Sequence, residues 1–282
     1  METKLILLEA LDGRWKKFRA ELKNCREEFS EEAVHDLRVA TRRLLALFDL
    51  LRHIIHHNRI QKIRRDLKDH LNDLNELRDV QVLLADVSEE LHETPALKFF
   101  QEHLVEEEKR LMRHARKLVK ARDDKSLKKR VEKMRDMVQE LPDATLSMQV
   151  MSAADDAFAR VLHAYSAMDA ENVASIHKLR VAFKRFRYTV EIVHPLLEAF
   201  PSANFESMHG YQSRMGDIQD MEVALQRVAD MEIDPAAEPD LKAMYVYYAA
   251  RLRAAVLKFL EDKGEVYVFW RNSPDQSFPW EK

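Results

Sequence analysis

A ten-residue pattern is written twice in this 282-residue chain. Val34-His35-Asp36-Leu37-Arg38-Val39-Ala40-Thr41-Arg42-Arg43 returns 142 positions later as Ile176-His177-Lys178-Leu179-Arg180-Val181-Ala182-Phe183-Lys184-Arg185. Whatever unit houses the first copy must therefore be built again. The repeat extends further. Leu77-Arg78-Asp79-Val80-Gln81-Val82 matches Ile218-Gln219-Asp220-Met221-Glu222-Val223 at an offset of 141. At that offset Arg110, Leu111, Lys117 and Leu118 meet Arg251, Leu252, Lys258 and Phe259. Three segments of each half correspond in the same order, so the chain reads as a tandem duplication.

The unit is helical. Only 4 glycines and 8 prolines occur, too few to punctuate a strand-rich fold. The apolar period is near 3.6 almost throughout, which predicts helices over about 3–26, 31–55, 59–87, 94–122, 126–140, 145–168, 171–197, 203–230 and 238–263. Ser30, followed by Glu31 and Glu32, reads as an N-cap with an acidic first turn. Ser202 reads as the cap of the 203–230 helix, and Pro142 and Gly264 mark ends. The expected fold is all-α: two helical bundles related by an internal pseudo-twofold axis, across which the cationic faces meet. The first repeat runs over about 3–140 and the second over about 142–265. In the 265–282 tail, Val266-Tyr267-Val268-Phe269-Trp270 alternates and reads as an extended strap.

The formal net charge is −3, so a generally basic nucleic-acid binder is excluded. The charge is uneven, however. Residues 177–188 carry five Lys/Arg and no acid, and residues 109–135 carry thirteen against three, which points to local anion sites on a near-neutral body. The single cysteine, Cys25, rules out an internal disulfide and a cysteine-based zinc site and favours a reducing compartment. The sequence holds no 18-residue apolar run and no signal-peptide pattern, so a cytoplasmic protein without a membrane association is expected. It also lacks a glycine-rich phosphate loop, a Gly-x-Ser-x-Gly elbow and a His-Glu-x-x-His helix, so no catalytic residue, cofactor or metal is expected. His53 and His57 have i, i+4 spacing, but no closing ligand pair accompanies them.

On a helix, His35, Arg38 and Arg42 fall within about 60° of one another, as do His177, Arg180 and Lys184. Like charges stacked on one face repel, so a fold that builds this twice expects an anion. His35 and Arg42 span about 10 Å along the axis, longer than one phosphate, which suits a string of phosphates. Arg187 extends the second face by a turn, where the first half has Leu45. Arg43 and Arg185 lie about 80° away, placed to reach the ligand from the side or to pair with a neighbouring helix. Arg110, Lys117, Arg251, Lys258, Arg64 and Lys68 are secondary candidates. Asp79 and Asp220 read as carboxylates that orient the motif arginines through salt bridges.

At His35-x-x-Arg38-Val39-x-x-Arg42-Arg43, its second copy, and the Leu77-x-Asp79 and Ile218-x-Asp220 segments, the chain resembles the CHAD family, the conserved-histidine α-helical domain. The resemblance runs from about residue 3 to 270. It implies two pseudo-symmetric helical bundles around a basic cavity that binds inorganic polyphosphate, in a binding module rather than a catalyst. Carried over, His35, Arg38, Arg42, Arg43, His177, Arg180, Lys184 and Arg185 line that cavity. Association with polyphosphate granules and polyphosphate-metabolising proteins follows from the same resemblance. Asp36 inside the first motif and Leu45 opposite Arg187 imply that the two halves bind unequally. Binding of RNA phosphates on the same faces is the second reading, and a phosphohydrolase the third.

Overall fold

A computed structural model describes residues 2–90, 97–231 and 238–281. Among them are ten α-helices and no strand. They are α1 (Thr3–Glu27), α2 (Glu31–Ile54), α3 (Asn58–Asn72), α4 (Asn75–Glu90), α5 (Leu97–Ala121), α6 (Lys125–Gln139), α7 (Leu146–Ser166), α8 (Val173–Val193), α9 (Ala203–Ala229) and α10 (Glu238–Asp262). The expected 94–122 helix is α5, and its first three residues lie outside the described residues.

Local chemistry explains the boundaries. Ser30 Oγ accepts from the Ala33 amide at 3.1 Å, and Glu31 and Glu32 face the helix's positive end, so α2 starts where the sequence indicates. Its apolar stripe of Val34, Leu37, Leu44, Leu47, Phe48 and Leu51 is buried. Phe29, just before it, adopts φ 53°, a left-handed conformation that costs a non-glycine residue about 1–2 kcal/mol. Its ring is 4 % exposed, and that burial offsets the cost.

Four expectations change. The 59–87 helix is two helices, broken at Asp73-Leu74. The apolar period runs across that break and no Gly or Pro marks it, but Asn72, Asp73 and Asn75 compete for backbone hydrogen bonds. The 171–197 helix ends at Val193, where His194–Leu196 tighten into a 3-10 turn around Pro195. Ser202 makes no capping bond. The tail is not an extended strap: Lys263–Val268 form 3-10 turns, and Phe269 and Trp270 insert into the core. Trp270 Nε1 donates to Asp155 Oδ1 at 2.8 Å, and Arg271 pairs with the same carboxylate at 2.6 Å, which fixes the tail to α7.

Element order repeats along the chain. α1, α2, α3–α4 and α5 are followed by α7, α8, α9 and α10, their first residues offset by 141 to 145. Contacts between the halves join like with like: α1 with α7, α2 with α8, α4 with α9 and α5 with α10. A single apolar cluster runs through both halves, from Leu7 on α1 to Phe259 on α10. The two motif helices, α2 and α8, thus meet in the interior, each also touching the other's neighbour (α7 and α1).

Candidate anion-binding site

The α2–α8 contact brings the two motif copies together. Lys184 lies within the field of Arg42, Arg180, Arg38 and Arg187, and Arg42 within that of Arg180. Four arginines and one lysine from two helices thus share one partly dehydrated region. Among the described residues, Arg42, Arg180 and Lys184 make no side-chain hydrogen bond, and none of them or Arg38 has a carboxylate oxygen within 4.0 Å. Arg180 Nε and Arg187 Nε are buried without any acceptor. The electrostatics follow. Burial, then the four arginines, pushes Lys184 down to about 6. Burial, with Arg42 and Arg78, brings Arg38 down to about 9. At the margin, part-burial together with Arg78, Arg42 and Arg38 holds the His35 imidazole below its ordinary value.

The two copies of the central arginine are held differently. Arg38 is 4 % exposed, and its Nη1 donates to Leu71 O at 3.2 Å and Asn75 Oδ1 at 2.7 Å. It therefore satisfies a carbonyl freed at the α3–α4 break. The position equivalent to Asn75, 141 residues on, is Gly216, on the unbroken α9. A β-carbon there would stand 3.7 Å from Arg180 Nη2, so the guanidinium lies over bare backbone with no side-chain acceptor. Arg38 is tethered; Arg180 is free.

The outer arginines of the motifs are also unequal. Arg43 Nε stands 3.3 Å from Glu191 Oε2, and Arg187 reaches the same carboxylate at 3.8 Å. The equivalent of Glu191 is Asp49, 142 residues earlier, and Arg64 occupies it at 2.5 Å. Arg185 is left exposed beside a groove of about 550 Å³ between α2, α3, α7 and α8. His177, Arg64 and Lys68 line the same groove, with Arg52, Arg160 and Lys178. Sequence reasoning missed these last three. A search for repeated cations could not find them, because their equivalents are His194, Phe18 and Asp36. His177 Nδ1 also pairs with Gln219 Oε1 on α9.

The remaining candidates lie elsewhere. Arg251 does not extend a free cationic face: it makes a bidentate pair with Asp86, at 2.8 and 2.9 Å. Burial lowers its pKa, but the bonds to Asp86 outweigh burial and raise it. Arg110 is exposed and stands 3.7 Å from Glu107, its neighbour one turn away. Lys117 is exposed, and Lys258 is exposed within the field of Asp217. Asp79 and Asp220 do face the cluster but form no salt bridge with a motif arginine, contrary to expectation. Partial desolvation raises Asp79, which keeps an exposed edge, against the pull of Arg38, Arg227, Arg42 and Arg180. Burial raises Asp220 to about 6, against Arg180 and helped by Asp217, Asp79 and Asp86. His53 and His57 do not share a helix face, since α2 ends at Ile54 and His57 caps α3, its Nδ1 accepting from the Arg59 amide at 3.0 Å.

The CHAD domain family model matches residues 9–229, most of the chain. The chain belongs to the CHAD family. Two solved structures agree with the fold of this CHAD chain. The crystal structure of the CHAD domain from the plant Ricinus communis superposes with a TM-score of 0.70 at 18 % identity, covering 91 % of this chain and 92 % of that one. PptA from Streptomyces chartreusis gives a TM-score of 0.73 at 17 % identity, covering 94 % and 100 %. At such identities the likeness is one of fold. No curated protein matches the chain. None of the described helices is long and apolar enough to cross a membrane.

Proposed function

We propose that this protein binds inorganic polyphosphate across the α2–α8 contact and acts as a targeting or scaffolding module without catalysis of its own. The observation that carries this reading is the shared cluster of Arg38, Arg42, Arg180, Lys184 and Arg187, in which Arg42, Arg180 and Lys184 have neither a hydrogen-bond acceptor nor a carboxylate partner. Gathering such charges costs free energy, and an anion repays it. Guanidinium forks suit phosphate oxygens, and the run of cations from the cluster to the groove at Arg185 is longer than one phosphate group. Charge-assisted hydrogen bonds contribute roughly 1.5–3 kcal/mol each, so several along one chain outweigh its ordering cost. Family membership supports the same ligand class. The pseudo-twofold relation between the halves is part of this proposal, supported by the like-with-like helix contacts. The cellular setting that goes with it is cytoplasmic, at polyphosphate deposits and beside polyphosphate-metabolising proteins.

RNA would require an exposed aromatic platform for its bases. Tyr188 is buried under Arg187, whose guanidinium carbon stands 5.0 Å from the ring centroid. Titration with polyphosphate of defined length, with orthophosphate, ATP and RNA as competitors at matched ionic strength, tests the proposal. Long polyphosphate is expected to win, and Arg42→Ala combined with Arg180→Ala to abolish binding while helicity is retained. Equal affinity for orthophosphate, or wild-type binding by the double variant, overturns it.

A further inference from the structure

The cations of the α2–α8 cluster continue to one side only. The groove between α2, α3, α7 and α8 is lined by Arg52, Lys68, Arg160, Lys178 and Arg185, and among the described residues none of these has a carboxylate oxygen within 4.0 Å. The acid that lines the groove, Asp49, is taken by Arg64 at 2.5 Å. Two helices carry the groove into the cluster. On α3, Lys68 lies one turn before Leu71, whose carbonyl accepts from Arg38. On α8, His177 lines the groove one turn before Arg180.

The repeat shows what the opposite side carries. The counterparts of Arg52, Arg64, Lys68 and Lys178 are His194, Phe205, His209 and Asp36. The counterpart of Arg185 is Arg43, which stands 3.3 Å from Glu191. His194 and Phe205 pack edge to face with ring centroids 5.5 Å apart, and Phe200 lies 5.0 Å from Phe205. Where one side offers lone cations, the other offers a carboxylate, a paired arginine and an aromatic cluster. A polyanion running on in that direction would lose its counter-charges and meet Asp36.

Linear polyphosphate has two kinds of unit. An internal unit carries a single negative charge. A terminal unit has a second ionisable oxygen, and a phosphate monoester of that kind carries about −1.5 to −2 near neutral pH. The densest gathering of cations without acceptor or carboxylate is Arg42, Arg180 and Lys184, so the cluster suits the more highly charged unit.

We infer that polyphosphate is held by its end, with the terminal phosphate in the α2–α8 cluster and the following units along the groove, where Arg52, Arg160 and Lys178 read chain length. The inference rests on the polyphosphate reading and gives the bound chain a direction. The test is isothermal titration of the full-length protein with three probes: linear polyphosphate, the same polymer amidated at both terminal phosphates, and tripolyphosphate, which fills the cluster alone. Amidation is expected to weaken binding of the polymer about tenfold. R160E and K178E are each expected to weaken the polymer about tenfold and to leave tripolyphosphate unchanged. H209E, on the opposite side, is expected to leave both unchanged. All three positions are exposed, so helical content should be retained. An amidated polymer that binds as tightly as the free one, groove variants with full affinity for the polymer, or H209E losing affinity as K178E does overturns the inference while the polyphosphate reading stands. A wild-type protein that binds none of the three probes overturns both.

Discussion

Lys184 is a lysine whose environment works against its own charge. It is held at about 6, against an ordinary 10.5, by burial and by Arg42, Arg180, Arg38 and Arg187. Between those values the unfolded chain binds a proton that the folded protein does not, so this residue makes the free protein more stable as pH rises from 6 toward 10.5. An anion in the cluster favours the charged form, so binding takes up a proton near neutral pH and affinity falls as pH rises above 6. Calorimetry in buffers of different ionisation enthalpy measures that uptake. Lys184→Met is expected to stabilise the free protein by about 2 kcal/mol in denaturant unfolding, remove the proton uptake and weaken polyphosphate binding roughly tenfold to a hundredfold. The histidines that name the family pattern lie at the margins instead: His35 is exposed at the edge of the cluster, and His177 is tied to Gln219.

At the scale of the element, α2 serves both fold and site, because Arg38 closes the α3–α4 break. Removing it takes the donor from Leu71 O and Asn75 Oδ1 in a half-buried place. Arg38→Ala is therefore expected to cost about 2–3 kcal/mol by chemical denaturation, whereas Arg42→Ala, with no hydrogen bond to lose, should leave stability unchanged or raised while binding falls. On α9, a β-carbon at Gly216 would meet Arg180 only at ordinary van der Waals distance, so Gly216→Ala is expected to raise stability by about 1 kcal/mol through helix propensity, again by denaturation. The helices themselves were legible in the sequence because their apolar period is strong, Ser30 chemistry marks the start of α2, and Pro142 and Gly264 lie just beyond the ends of α6 and α10. The α3–α4 break was not, because the apolar period runs straight across it and outweighs the local signal of Asn72, Asp73 and Asn75, and the arginine that satisfies it, Arg38, comes from another helix. The repeated cations identified the α2–α8 cluster, but repetition is silent about which copies are paired. The fates of Arg251 and Arg64 depend on Asp86 and Asp49, each contributed by another helix.

At the scale of the whole molecule, a near-neutral protein keeps its free cations inside the contact between its halves and compensates many of the outer ones. Binding should therefore weaken linearly in log affinity against log salt, and Arg42→Ala should reduce that slope by about one if each cation displaces one counterion, measured by titration at several ionic strengths. The one core shared by both halves means that a fragment ending near residue 140 would expose α2, α4 and α5 surfaces that the second half covers. A last consequence comes from the tethered and free central arginines. Because Arg38 is needed to finish the fold and Arg180 is not, the two copies stand under different selection. On the proposed function, a change at Arg180 acts on the ligand, but a change at Arg38 first costs stability. If the cluster binds the proposed ligand, descendants of the repeat can retune it through the second half, while Arg38 in the first half stays fixed by the requirement to fold.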